Sequence, residues 1–182
     1  MSEVANKLSN YLTSVSNKLY NTSPRPALRY VTKLISDNWY EKNIYFVELP
    51  TGYGKTTLSI ALSLLNRDIG FKIIIAYPVR SLLEDQYDKF KKFFDDSELG
   101  VRYMHNPESR YLIKPVTLTT IDTLSLVMFG LAPEDITKAI KYYTWTGTNE
   151  ALQDITYSQE LHMHYPISYL MKHTFSQIQL NH

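Results

Sequence analysis

The stretch Leu49–Thr57, LPTGYGKTT, restricts what this chain can fold into more than any other. Gly52 and Gly54 let backbone N–H groups crowd a polyphosphate. Lys55 adds a cation and Thr56 a hydroxyl suited to a divalent metal, the set a polyphosphate requires. Residues 43–49 (NIYFVEL) are β-branched and aromatic and predict a buried strand entering the loop. Leu58, Ala61, Leu62 and Leu65 recur at helical spacing, so a helix leaves it. The start of that helix adds its amides and dipole to the anion site. One position departs from G-x-x-x-x-G-K-[ST]: Leu49 stands where the first glycine belongs. The competing reading is a Gly-Lys-Thr turn that merely enters a helix, and the strand–loop–helix setting argues against it.

The rest of the chain supplies the frame. Val4, Leu8, Tyr11, Leu12, Val15 and Leu19 predict a helix over 3–20. NTSPRP (21–26) breaks it, and Pro26 opens a second helix with Leu28, Val31, Leu34, Ile35 and Trp39 as its apolar face. Asp68 and Gly70 close the helix after the glycine loop. Residues 72–77 (KIIIAY) are nearly all apolar, as in a strand covered on both faces, and Pro78 ends them. Ser81 and Glu84 fit a capping box opening a helix with Leu83, Tyr87, Phe90 and Phe94 inside. A polar loop then leads to a strand at 115–121 (PVTLTTI) and a helix from about Asp122. Pro133, Glu134 and Asp135 start another, with Ile136, Ala139, Ile140 and Tyr143 as its stripe. Residues 167–180 read equally as helix or strand. The order β-loop-α-β-α-β-α is that of a parallel α/β sheet.

Composition narrows the classes. With 182 residues the chain makes one domain with at most a small appendage. A net charge of +1 gives no global field, so any nucleic-acid contact is local. The absence of cysteine removes disulfides, thiolate metal sites and cysteine nucleophiles. No basic leader with an apolar run and no apolar stretch long enough to span a bilayer occurs, so the expectation is a cytoplasmic protein with no membrane partner.

PTGYGKT resembles the first motif of superfamily 2 helicases, in which the leading glycine is often missing. YPVRSLLEDQYDKF (77–90) resembles their second motif, a strand, turn and helix start that meets single-strand phosphates. PVTLTTIDTLSL (115–126) is similar to a later motif whose T-T or T-x-D turn touches the same strand. Taken together, ELPTGYGKT, YPVRSLLEDQ and VTLTTIDTL resemble the CRISPR-associated type I interference helicases, over residues 24–135. The resemblance implies an α/β fold: an incomplete RecA-like P-loop three-layer sandwich with a mainly parallel sheet, plus N-terminal helices. It divides the chain into 1–40, helices with an adenine-side element, and 41–182, part of the ATP-binding domain.

The same resemblance implies ATP and Mg2+ as cofactors. Thr51, Gly52, Tyr53, Gly54, Lys55, Thr56 and Thr57 would hold the phosphates, with Lys55 on the β/γ oxygens and Thr56 on Mg2+. Arg80, Ser81, Thr119 and Thr120 would meet single-stranded DNA. Read alone, Ser81 is an adequate helix cap and the two threonines are ordinary strand-end residues. SPRPALRY (23–30) resembles the adenine-side element without its glutamine; Arg29 stands near that place. Arginine stacks on a base but lacks the paired donor and acceptor of a carboxamide.

No D-E-x-H string occurs in these residues, nor the later coupling motif, the second motor domain or the H-D pair of the associated nuclease. The expectation is therefore the ATP-binding N-terminal portion of an antiviral DNA helicase, without hydrolysis or unwinding on its own. Its implied partners are single-stranded DNA, a CRISPR interference complex and a separate HD nuclease. FSQIQLNH (175–182) alternates like a strand, with Asn181 near the expected aspartate, or else ends a helix; the first reading points to a truncated motor. Two alternatives stand beside this: a small P-loop phosphotransferase using Asp122, and a non-catalytic nucleotide-binding remnant or decoy. His162 and His164 diverge on a helix and read as solvated rather than metal-bound. Lys89, Lys91 and Lys92 beside Phe90, Phe93 and Phe94 resemble a basic-aromatic patch, but the spacing puts Phe90 and Phe94 inside and the lysines in water.

Overall fold

A parallel sheet needs crossover connections, and the apolar runs of this chain are spaced by helical segments that provide them. The computed structural model describes residues 2–42, 44–103 and 112–128, and the backbone of 167–171. Two helices come first, α1 (Ser2–Tyr20) and α2 (Pro26–Asp37). Helix α3 (Lys55–Asp68) follows the glycine loop, then strand β1 (Lys72–Tyr77) and helix α4 (Arg80–Phe90). Strands β2 (Leu99–Arg102) and β3 (Val116–Thr120) are followed by helix α5 (Ile121–Met128) and strand β4 (Ile167–Met171).

The four strands are ordered β2-β3-β1-β4, every pairing parallel. Ile73 lies opposite Val116 and Tyr77 opposite Thr120, while Lys72 pairs with Ile167 on the other edge of β1. Side chains alternate across a strand, and β1 shows what that does here. Ile73, Ile75 and Tyr77 join the main core with α1, α2, α3 and α4 residues. Ile74 and Ala76 join Leu124 and Val127 of α5 on the opposite face. Helices thus cover both sides of the sheet, the three-layer α/β arrangement expected. Leu8, Leu12 and Val15 of α1 are fully buried in the main core. The Tyr11 hydroxyl donates to the Asp68 carboxylate and the Lys18 ammonium to the Lys92 carbonyl. Phe90 and Phe94 are buried and Lys91 and Lys92 exposed, as their spacing requires.

Four expectations need correction. Residues 44–49 form no strand: Phe46 is 97% and Ile44 72% exposed. Both edges of β1 are already filled, by β3 and β4, and an extended segment without a ladder partner stays irregular. Tyr45 instead tethers the segment to the end of α2, donating to the Asn38 carbonyl at 2.6 Å. Conversely, the polar loop after α4 contains β2, whose four residues are all buried. Leu34 points outward at 44% exposure, since α2 turns Leu28, Thr32, Ile35 and Ser36 to the core. The Ser81–Glu84 capping box is absent: α4 begins at Arg80 with the extended Val79 as N-cap and no side-chain cap, and Glu84 accepts from Arg80 instead. Within 167–180, residues 167–171 are strand. The helix starting at Pro133, the 175–182 tail, Asn181, His162 and His164 lie outside the described residues.

Candidate functional site

The glycine loop takes the shape its composition allows. Gly52 has φ 81° and Gly54 φ 95°, both left-handed, and the Tyr53 N–H donates to the Pro50 carbonyl at 3.2 Å to close the turn. Gly54 is the N-cap of α3 and, lacking a side chain, caps nothing. The first amides of a helix have no partner within it, so they face the loop as donors with the positive end of the helix dipole behind them. Lys55 and Thr56 are half-buried and Thr57 is buried, while Thr51, Gly52 and Tyr53 are exposed on the crest. These residues fit a polyphosphate: two left-handed glycines, an uncapped helix start and a lysine at its first position.

Helix α2 roofs the turn. A Cβ placed on Gly54 would stand 2.6 Å from Leu28 Cδ1, so α2 sits as close as glycine permits. Arg25, the N-cap of α2, meets the loop, its guanidinium 4.9 Å from the centre of the Tyr53 ring. Arg29 is exposed one turn further along α2. Helix α4 supports the loop from another side. Thr56 Oγ1 donates to Oε1 of the buried Gln86 at 2.5 Å. Gln86 Nε2 donates to Asp85 Oδ2 at 2.8 Å, and Lys89 Nζ donates to the same oxygen at 2.6 Å. Thr56 thus places one hydroxyl oxygen a residue beyond Lys55, which suits a Mg2+ whose other ligands come from phosphates and water. Among the described residues no group of three or more His, Cys, Asp or Glu side chains is placed to hold a metal.

The second group of expected residues gathers at the carboxyl ends of the two inner strands. Because Tyr77 and Thr120 are paired, β1 and β3 end side by side, and α4 and α5 both start there. Arg80 is exposed, bonded to Glu84 Oε1 at 2.8 Å, with its guanidinium 4.6 Å from the Tyr103 ring centre. The hydrogen bond to Glu84 raises its already high pKa. Ser81 is exposed beside it. Thr119 is fully buried and donates to the Thr120 carbonyl at 3.4 Å. Thr120 Oγ1 donates to Thr123 Oγ1 at 2.9 Å and accepts the Thr123 N–H at 3.4 Å, a cap for α5. Asp122 is exposed in the first turn of α5.

Sequence reasoning missed Arg25 and Gln86. Both lie inside strings singled out by resemblance, SPRPALRY and YPVRSLLEDQYDKF, but their contacts depend on how α2 and α4 lean on the loop. Parallel strands, crossover helices and a glycine turn at an uncapped helix start define a P-loop α/β protein. The family model of the DEAD/DEAH box helicases matches residues 29–157, well over half of the chain, and the chain belongs to that family. Its members use ATP and Mg2+. Among the described residues no helix is long and apolar enough to cross a membrane.

Proposed function

We propose that this chain is the ATP-binding part of a CRISPR-associated superfamily 2 DNA helicase acting in antiviral defence. The observation that carries the nucleotide half is the Gly54–Lys55–Thr56 turn, left-handed at the glycine and uncapped at the start of α3. Thr51 to Thr57 bind the phosphates, Lys55 neutralises the β/γ oxygens and Thr56 is a Mg2+ ligand. Arg29 and its neighbours on α2 serve the base. The likeness of ELPTGYGKT, YPVRSLLEDQ and VTLTTIDTL to the interference helicases supports the CRISPR assignment.

Single-stranded DNA runs across the carboxyl ends of β1 and β3, where α4 and α5 begin. Arg80, Ser81 and the half-buried Thr120 meet it, with the fully buried Thr119 behind them, in phosphate contacts that position the strand without reading sequence. Metal-assisted hydrolysis also needs an acidic group on Mg2+. These 182 residues contain no D-E-x-H, so hydrolysis and unwinding require that motif and a second motor domain from elsewhere. A CRISPR interference complex and an HD nuclease are the protein partners proposed.

Titrating the chain with a fluorescent ATP analogue tests the nucleotide half. Micromolar binding is expected, weakened at least ~10-fold in Lys55→Ala by loss of a charge-assisted contact worth roughly 1.5–3 kcal/mol. Turnover assays with and without single-stranded DNA test the rest. DNA-stimulated hydrolysis by the chain alone would refute the proposed incompetence, and phosphate transfer lost in Asp122→Asn would favour a phosphotransferase.

A further inference from the structure

We propose that Gln86 is a positioning residue for the nucleotide loop: its carboxamide oxygen takes the Thr56 hydroxyl proton and turns that hydroxyl's lone pairs toward the metal accompanying bound phosphates. This rests on the ATP and Mg2+ reading above. A threonine hydroxyl has one proton and two lone pairs, and only the lone pairs attract a cation. Hydroxyls within a helix commonly return their proton to the carbonyl four residues back, as Ser59 does to Lys55 and Ser63 to Ser59 in α3 itself. Thr56 reaches across to a different helix, giving its proton to Gln86 Oε1 at 2.5 Å.

The orientation of the Gln86 amide decides the matter, because a flipped amide would present N–H to Thr56 and force its proton outward. Asp85 prevents the flip. Its carboxylate only accepts, so the amide nitrogen must face Asp85 Oδ2, at 2.8 Å, and the oxygen must face Thr56. Lys89 Nζ holds Asp85 in turn at 2.6 Å, and Gln86 is 3% exposed, which keeps water from replacing the bond. Losing an outer partner that orients a metal's ligand typically costs about 10–100-fold in metal affinity. The chain Thr56–Gln86–Asp85–Lys89 therefore joins α3, which carries the phosphate loop, to α4, which begins at Arg80.

The test is the affinity of the full chain for N-methylanthraniloyl-ATP, measured with Mg2+ and with EDTA, for wild type, Gln86→Leu and Asp85→Ala. Wild type binds more tightly with Mg2+. Gln86→Leu is expected to forfeit ~10-fold of that Mg2+-supported affinity while its affinity in EDTA stays within about two-fold. Asp85→Ala, at an exposed helical position that does not threaten folding, is expected to lose roughly three-fold in the same selective way, and it carries the test should Gln86→Leu not fold. Equal losses in Mg2+ and EDTA, or an unchanged Mg2+ gain in both variants, would overturn the role of Gln86 alone. A wild-type chain that binds no nucleotide in either condition would overturn the ATP reading and this role with it.

Discussion

Gly54 meets two demands at once, a left-handed backbone at φ 95° and the pressure of Leu28 where a Cβ would go. Alanine there would adopt a disfavoured conformation and push a buried leucine aside. Gly54→Ala should lower unfolding free energy by ~1–3 kcal/mol, read from the urea midpoint, and weaken nucleotide binding beyond what the stability loss explains. Gly52, equally left-handed but with nothing near its missing Cβ, should cost only ~1 kcal/mol as alanine. The glycine turn was legible in the sequence because a local spacing of Gly, Lys and Thr dictates it. Gln86 was not: its partner lies thirty positions away, and only the rotation of α4 about its own axis brings them together. Val79 takes the N-cap in place of Ser81, so α4 starts two residues sooner than side-chain chemistry suggests.

Among the elements, α1 anchors to the core through Leu8, Leu12 and Val15, at 0–1% exposure. Leu12→Ala should cost ~2–5 kcal/mol by lost transfer energy and the cavity left behind, checked by denaturant unfolding. Its helical stripe was fully readable, as were β1 and β3. Strand β2 was not, since LGVR is short and carries a glycine and an arginine, and only its place beside β3 makes it a strand. The aromatic run 44–49 misled for the opposite reason: strand-forming residues need a neighbour to pair with, and both flanks of β1 are taken by β3 and β4.

Lys72, at the start of β1, has its pKa lowered by burial to about 8 from 10.5. Between those values the unfolded chain holds a proton that the folded chain has released, so Lys72 makes stability rise with pH across that window. Thermal melts at about pH 8 and about pH 10 should show that gain in the wild type relative to Lys72→Met, whose curve lacks this contribution.

At the scale of the molecule, Ile44–Val47 form a run of exposed apolar side chains among the described residues. Phe46→Asp should leave the melting temperature essentially unchanged, within about 0.5 kcal/mol, because so exposed a ring contributes almost no burial. The same change should reduce concentration-dependent self-association measured by light scattering. The order of the sheet bears on how the chain assembles. β1 meets β3 once α4 and β2 have passed between them in the sequence, whereas its pairing with β4 waits for α4, β2, β3 and α5. Closing so long a loop delays contact formation. In pulse-labelling hydrogen exchange, amides on the β3 side should gain protection before those facing β4, and a nascent chain leaving the ribosome would hold three of these four strands, one flank of β1 bare, until β4 arrived.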